Sequence, residues 1–242
     1  GQHATTFVTL KKTGSGSPSS REHRMTYFAK DEDLELTPGQ SLSEHQPGRN
    51  PMGVDRGPGE TVRCFGCHST TVSDFSPDYL DVQTLRPNIG CERCHGPGGS
   101  HVEAARREGG DISMPFGKVW TAEGQMKLCG DCHRHPSQAP PGEIRPDNLL
   151  LARFQPVGLM QSACYKKSGG DLSCVNCHNP HDRASTEPAH YIASCLSCHG
   201  KEGQVSCPVS PQQDCLRCHM PAVDSGQGIL FTDHWIRVRH DR

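Results

Sequence analysis

Twelve of the fourteen cysteines in this chain stand in pairs three positions apart, and each pair is followed at once by a histidine. The six copies are Cys64-Phe65-Gly66-Cys67-His68, Cys91-Glu92-Arg93-Cys94-His95, Cys129-Gly130-Asp131-Cys132-His133, Cys174-Val175-Asn176-Cys177-His178, Cys195-Leu196-Ser197-Cys198-His199 and Cys215-Leu216-Arg217-Cys218-His219. Two thiols at this spacing share one face of a helical turn, and the imidazole that follows lies within the same reach. A zinc ribbon also uses Cys-x-x-Cys half-sites, but it does not call for histidine after every second cysteine. The full pattern reads as covalent attachment of haem c. Each cysteine pair would add across the two vinyl groups of one porphyrin. His68, His95, His133, His178, His199 and His219 would then be the proximal iron ligands. Six haem c groups are expected.

Elements must position these motifs, and the composition limits what the elements can be. Leu, Ile, Val and Phe make up 41 of 242 residues, below the level at which a chain usually folds on its own apolar core. With 26 Gly and 19 Pro, the chain leans toward irregular structure. Six porphyrins resolve the conflict by serving as the core themselves. The expected class is mainly α with extensive coil, in a multihaem fold wrapped round its cofactors. The formal charge of −2 falls to roughly −8 once propionates and ferric irons are included, which argues against nucleic acid as a partner. No apolar run approaches a membrane span. The sequence begins at Gly1 without a leader, so a removed signal peptide or a fragment is expected. Haem c is attached outside the cytoplasm, which predicts a periplasmic or extracellular protein.

Residues 1–60 carry no cysteine. Ala4–Leu10 and His23–Ala29 read as two strands of a short hairpin across a long Gly/Ser/Pro loop, and 37–59 read as coil. Residues 61–242 are organised by the motifs, whose first cysteines are 27, 38, 45, 21 and 20 residues apart. Unequal steps argue against a solenoid of identical repeats, and the shortest leave room for little more than one short helix between haems. With no natural boundary, 1–242 is expected to form a single domain. Ser100-His101-Val102-Glu103 predicts a capped helix stopped by Gly109-Gly110. A second helix is expected from about Val157 to Lys167.

Of fifteen histidines, nine are not proximal: His3, His23, His45, His101, His135, His181, His190, His234 and His240. Six irons with two imidazoles each need only six of these. Saturated low-spin iron suits electron transfer, whereas an open site marks catalysis.

Arg86-Pro87-Asn88-Ile89-Gly90 running into Cys91–His101, with its Gly96-Pro97-Gly98-Gly99-Ser100-His101 segment, resembles multihaem cytochromes of the cytochrome c-554 type. So do Ser173–His181, Cys215–Pro221 and Phe231-Thr232-Asp233-His234-Trp235. The resemblance implies that His101, His181 and His234 are distal ligands, each to a haem other than its neighbour. His101 agrees on local grounds, since six residues are too few to carry it round its own porphyrin from His95. His3 and His23 flank the expected hairpin and are the next distal candidates. The sixth ligand stays open among His45, His135, His190, His240 and a histidine from another subunit.

Cys164 and Cys207 lie outside the motifs, and in an oxidising compartment two leftover thiols are expected to pair as a disulfide. The function these features predict is electron transfer between a redox donor and acceptor, or to an extracellular acceptor, with a homo-oligomer or filament as a variant. An electron carrier and no enzyme is expected, because all six motifs keep their histidine. The alternative is a multihaem oxidoreductase of nitrite or hydroxylamine type with one open iron.

Overall fold

The structure, a computed structural model, describes residues 4–12, 14–40, 50–74, 76–107, 121–201, 207–224 and 230–239. The chain divides into two compact units, Gly1–Lys118 and Val119–Arg242, where the sequence had offered no boundary. His3, His45 and His240 lie outside the described residues.

The first unit is built on a sheet of β1 (Ala4–Lys11), β2 (Ser19–Phe28), β3 (Asp33–Leu36) and β4 (Gly53–Arg56). The expected hairpin is present, but β2 starts at Ser19 and is long enough to take two partners on its far edge. β3 pairs with Met25–Phe28 and β4 with Ser20–His23, all antiparallel. Residues 37–59, expected as coil, therefore contribute a strand. Gly53 permits the β4 pairing, since at φ +143° a Cβ there would fall 2.0 Å from the Glu22 carbonyl oxygen. Strand alternation sorts β2 into two faces. Ser20 bonds Thr61 at 2.9 Å, and Thr26 bonds Thr37 at 2.8 Å and Thr6 at 2.9 Å. Ser20, Thr26, Thr37 and Thr61 are buried, whereas Thr6 is exposed. The opposite face leaves Met25 and Tyr27 exposed.

α1 (Pro58–His68) starts with Pro58 at its first position, which sacrifices no hydrogen bond, and Glu60 accepts the Gly57 N–H at 3.3 Å. Its last turn is the first haem motif. β5 (Ser69–Thr71) and β6 (Arg86–Pro87) form a short ladder leading to α2 (Cys91–His95) and α3 (Gly99–Ala105). The capping box expected at Ser100 does not form. The helix begins two residues earlier, with Gly98 as its N-cap, whose N–H is taken by the Glu92 carboxylate at 2.8 Å.

The second unit contains α4 (Ala122–His133), α5 (Gln155–Gln161), α6 (Ala163–Lys167), α7 (Pro188–His199), α8 (Cys215–His219) and a ladder of β7 (Ala222–Asp224) with β8 (Leu230–Thr232). The helix expected over 157–167 is broken at Ser162, which is extended (φ −68°, ψ 142°) and spends its hydroxyl on another segment. Met126, Leu151, Ala152 and Val157 form its small apolar centre. Among the described residues of both units, only six hydrophobic side chains are buried. So thin a core fits a fold whose apolar mass is meant to come from bound groups. Among the described residues, no helix is long and apolar enough to cross a membrane.

Candidate haem-binding site

Every motif sits at a helix end or on a helical turn. Cys64–His68, Cys129–His133 and Cys195–His199 close α1, α4 and α7, while Cys91–His95 and Cys215–His219 are one-turn helices. Cys174–Asn176 is a 3-10 turn. The helical step turns the paired thiols to one side and delivers the histidine just as the helix stops.

The thiols of different motifs adjoin in the second unit. The Cys174 thiol hydrogen-bonds the Cys129 sulfur, which holds Cys129 down at about 7 and pushes Cys174 up. Cys174 also lies 3.5 Å from the Met126 sulfur. Burial, with Cys215 beside it, pushes Cys195 up to about 11. The third and fourth motifs thus meet, as do the fifth and sixth. The disulfide expected between Cys164 and Cys207 is not formed, and both thiols are free. Cys164 sits instead close enough to Cys177 and Cys195 to raise their pKa values, and the Cys207 sulfur accepts the Ser210 N–H at 3.5 Å.

The histidines separate by which ring nitrogen is engaged. His219 Nδ1 lies 3.1 Å from the Arg237 carbonyl and His234 Nδ1 2.9 Å from the Thr232 carbonyl. A carbonyl only accepts, so Nδ1 carries the proton in both and Nε2 keeps its lone pair for a metal. His133 Nδ1 is likewise engaged, by Gln155 at 3.0 Å, and His135 Nδ1 by Ser137 at 2.9 Å. His23 and His190 show the reverse. His23 Nε2 bonds Thr9 at 2.7 Å, and His190 Nε2 approaches the Cys177 carbonyl at 3.3 Å. His23 also lies on the face of β2 opposite the Ser20–Thr61 contact with α1, so the structure turns this distal candidate away from the first motif.

One proximal and one distal candidate face each other. The rings of His178 and His234 have centroids 6.2 Å apart, with planes inclined by 31°. Two imidazoles sharing one iron have centroids about 6 Å apart, because each nitrogen sits about 2 Å from the metal and each ring centre roughly 1 Å behind it. The pair is therefore spaced for one metal ion between them. Burial, aided by His190 and His133, pushes His178 below its usual value, and burial does the same to His234. Both rings are thereby kept in the neutral, metal-binding form.

His234 is delivered by a strap over residues 232–239. Ser162 anchors it, accepting the Ile236 N–H at 2.8 Å and donating to the His234 carbonyl at 3.3 Å. Gly158 admits the strap, since a Cβ there would stand 2.7 Å from Trp235 N and 2.9 Å from His234 C. Sequence reasoning did not find Ser162, Gly158 or Tyr191, whose ring lies 5.3 Å from that of His178. In the first unit, His101 lines a cavity of about 520 Å3 together with Cys91, Val102 and Arg106. Its Nδ1 is buried without a hydrogen-bond partner. His181 lies exposed on the turn after the fourth motif, with its backbone N–H held by Asn179 at 3.1 Å.

These donor sets fit haem c: paired thiols on one helical face, imidazoles with Nε2 free, and an imidazole pair at the separation of a shared iron. Among the described residues, no three His, Cys, Asp or Glu side chains gather as a zinc site would need. The family described as cytochrome c554 and c-prime matches residues 38–96, which contain the first two motifs. The chain is also similar to cytochrome c-552 of Haemophilus influenzae, 22% identical over 178 residues, covering 73% of this chain and 30% of the relative. It is 24% identical over 183 residues to the dissimilatory sulfite reductase MccA of Wolinella succinogenes, covering 59% of this chain and 23% of that protein. No solved structure matches.

The chain is a multihaem c-type cytochrome. Its cofactor is haem c. The cytochrome spans less than a third of the length of these relatives. The expectation of a carrier and no enzyme is corrected by the second of them, which is a reductase by name. A complete set of Cys-x-x-Cys-His motifs does not separate carriers from enzymes, because catalysis needs only one open iron among many saturated ones.

Proposed function

We propose that the chain is an electron relay of six covalent haems, most of them ligated by two imidazoles, working in the periplasm or outside the cell. The observation that carries this reading is the His178–His234 pair, with centroids 6.2 Å apart. A saturated iron changes geometry little on reduction and so passes electrons by outer-sphere steps. The adjoining thiols of Cys129 with Cys174 and of Cys195 with Cys215 support short gaps between neighbouring porphyrins. His101, His181 and His234 are the distal ligands in this reading, and His135, with Nδ1 engaged, is the strongest candidate among the unassigned histidines. Donor and acceptor are redox proteins or an extracellular acceptor, and assembly into an oligomer or filament would extend the relay.

Likeness to a sulfite reductase favours a second reading, in which this chain supplies electrons within a larger reductase of a small sulfur oxyanion. Reductive titration of the purified holoprotein tests the relay, which predicts six electrons per chain taken up in overlapping steps with low-spin spectra throughout. Stoichiometric binding of carbon monoxide at one reduced haem would favour the reductase, and uptake of fewer than six electrons would overturn the six-haem relay.

A further inference from the structure

The strap that delivers His234 carries a charge imbalance that no group among the described residues neutralises. Asp233 is buried, with 7% of its surface exposed. Arg237 Nη1 lies 3.1 Å from its carboxylate, and Arg239 Nη2 pairs with the same oxygen. Two guanidinium groups on one carboxylate leave one positive charge in excess. Arg237 is well satisfied: it also donates to the Trp235 and Pro146 carbonyls at 3.1 and 3.0 Å and lies over the Trp235 ring. Arg239 is not. Its side chain exposes only 10%, and its Nε is buried without a hydrogen-bond partner. A buried donor left without an acceptor is costly, most of all on a charged group, so such a site calls for an acceptor.

The location narrows what that acceptor is. The strap touches two proposed iron sites, through the His234 ring that faces His178 and through the Arg237 carbonyl that accepts from His219. Each haem would bring two carboxylates on flexible arms, and a guanidinium fork matches a carboxylate better than any other side chain does.

We propose that Arg239 anchors a propionate of one of the two haems bordering the strap, with Asp233 holding its guanidinium in place. This rests on the haem-relay reading. The anchor would neutralise the excess charge and raise that haem's potential, because a cation near the iron favours the less positive reduced state.

The test compares holoprotein carrying Arg239→Ala, Arg239→Lys or Arg21→Ala, the last removing a surface ion pair of the first unit. Haem count by mass is checked first, so that loss of haem, which would challenge the relay reading, is told apart from failure of the anchor. Arg239→Ala should lower the midpoint potential of one haem and shift one propionate band in the resonance Raman spectrum, with Arg21→Ala unchanged in both. Arg239→Lys keeps the charge and the fold but loses the fork, so the band should shift while the potential moves less. Unchanged potentials and bands in both Arg239 variants would overturn the proposal. So would a spectral response of the wild type to added sulfite that Arg239→Ala abolishes, since the site would then belong to a free anion.

Discussion

At the scale of single residues, which nitrogen of each imidazole is occupied decides which histidines can bind iron. The Thr232 carbonyl fixes the proton of His234 on Nδ1 and leaves the Nε2 lone pair free, with the ring centre 6.2 Å from that of His178. Replacing His234 by Ala should convert one haem from low to high spin without loss of haem from the chain. Absorption and electron paramagnetic resonance spectra identical to wild type would show that His234 binds no iron. His190→Ala should leave the spin states alone, since its Nε2 already approaches the Cys177 carbonyl, and a new high-spin signal in that variant would contradict the assignment.

At the scale of elements, the strap and the first-unit sheet make separate predictions. Gly158→Ala would drive a methyl into the backbone at His234 and Trp235. The strap would have to move, at a cost of about 1–3 kcal/mol, and the same haem that His234→Ala perturbs should change its spectrum. Thermal unfolding and an absorption spectrum both matching wild type would sink this reading of the strap. In the sheet, the hydrogen bonds of Arg21 and then Lys11 hold the Asp55 carboxyl well below its usual range. A carboxyl depressed in the folded state adds stability above its unfolded value, and that contribution is lost as pH falls below about 4. Asp55→Asn should therefore flatten the acid side of the stability profile, and an unchanged acid profile would show that these ion pairs contribute nothing.

At the scale of the whole molecule, what was legible in the sequence follows from what is local. The six motifs, and the helical turns under most of them, are local chemistry and could be read directly. His234 was found through its resemblance to a known tail and His178 through its motif, but their pairing was not, because pairing across 56 positions depends on tertiary packing. The β3 and β4 strands were missed because Gly, Pro and acidic residues mask short edge strands whose pairing is dictated by the long β2. Ser162 looked like helix interior, and only the strap explains why it breaks the helix. The buried hydrophobic side chains among the described residues are so few that bound cofactors must supply the missing apolar mass. The central claim is therefore the haem complement, and the measurement that tests it most directly is the intact mass of the denatured holoprotein. The account predicts the polypeptide mass plus six covalently bound haems, and any smaller whole number would contradict it.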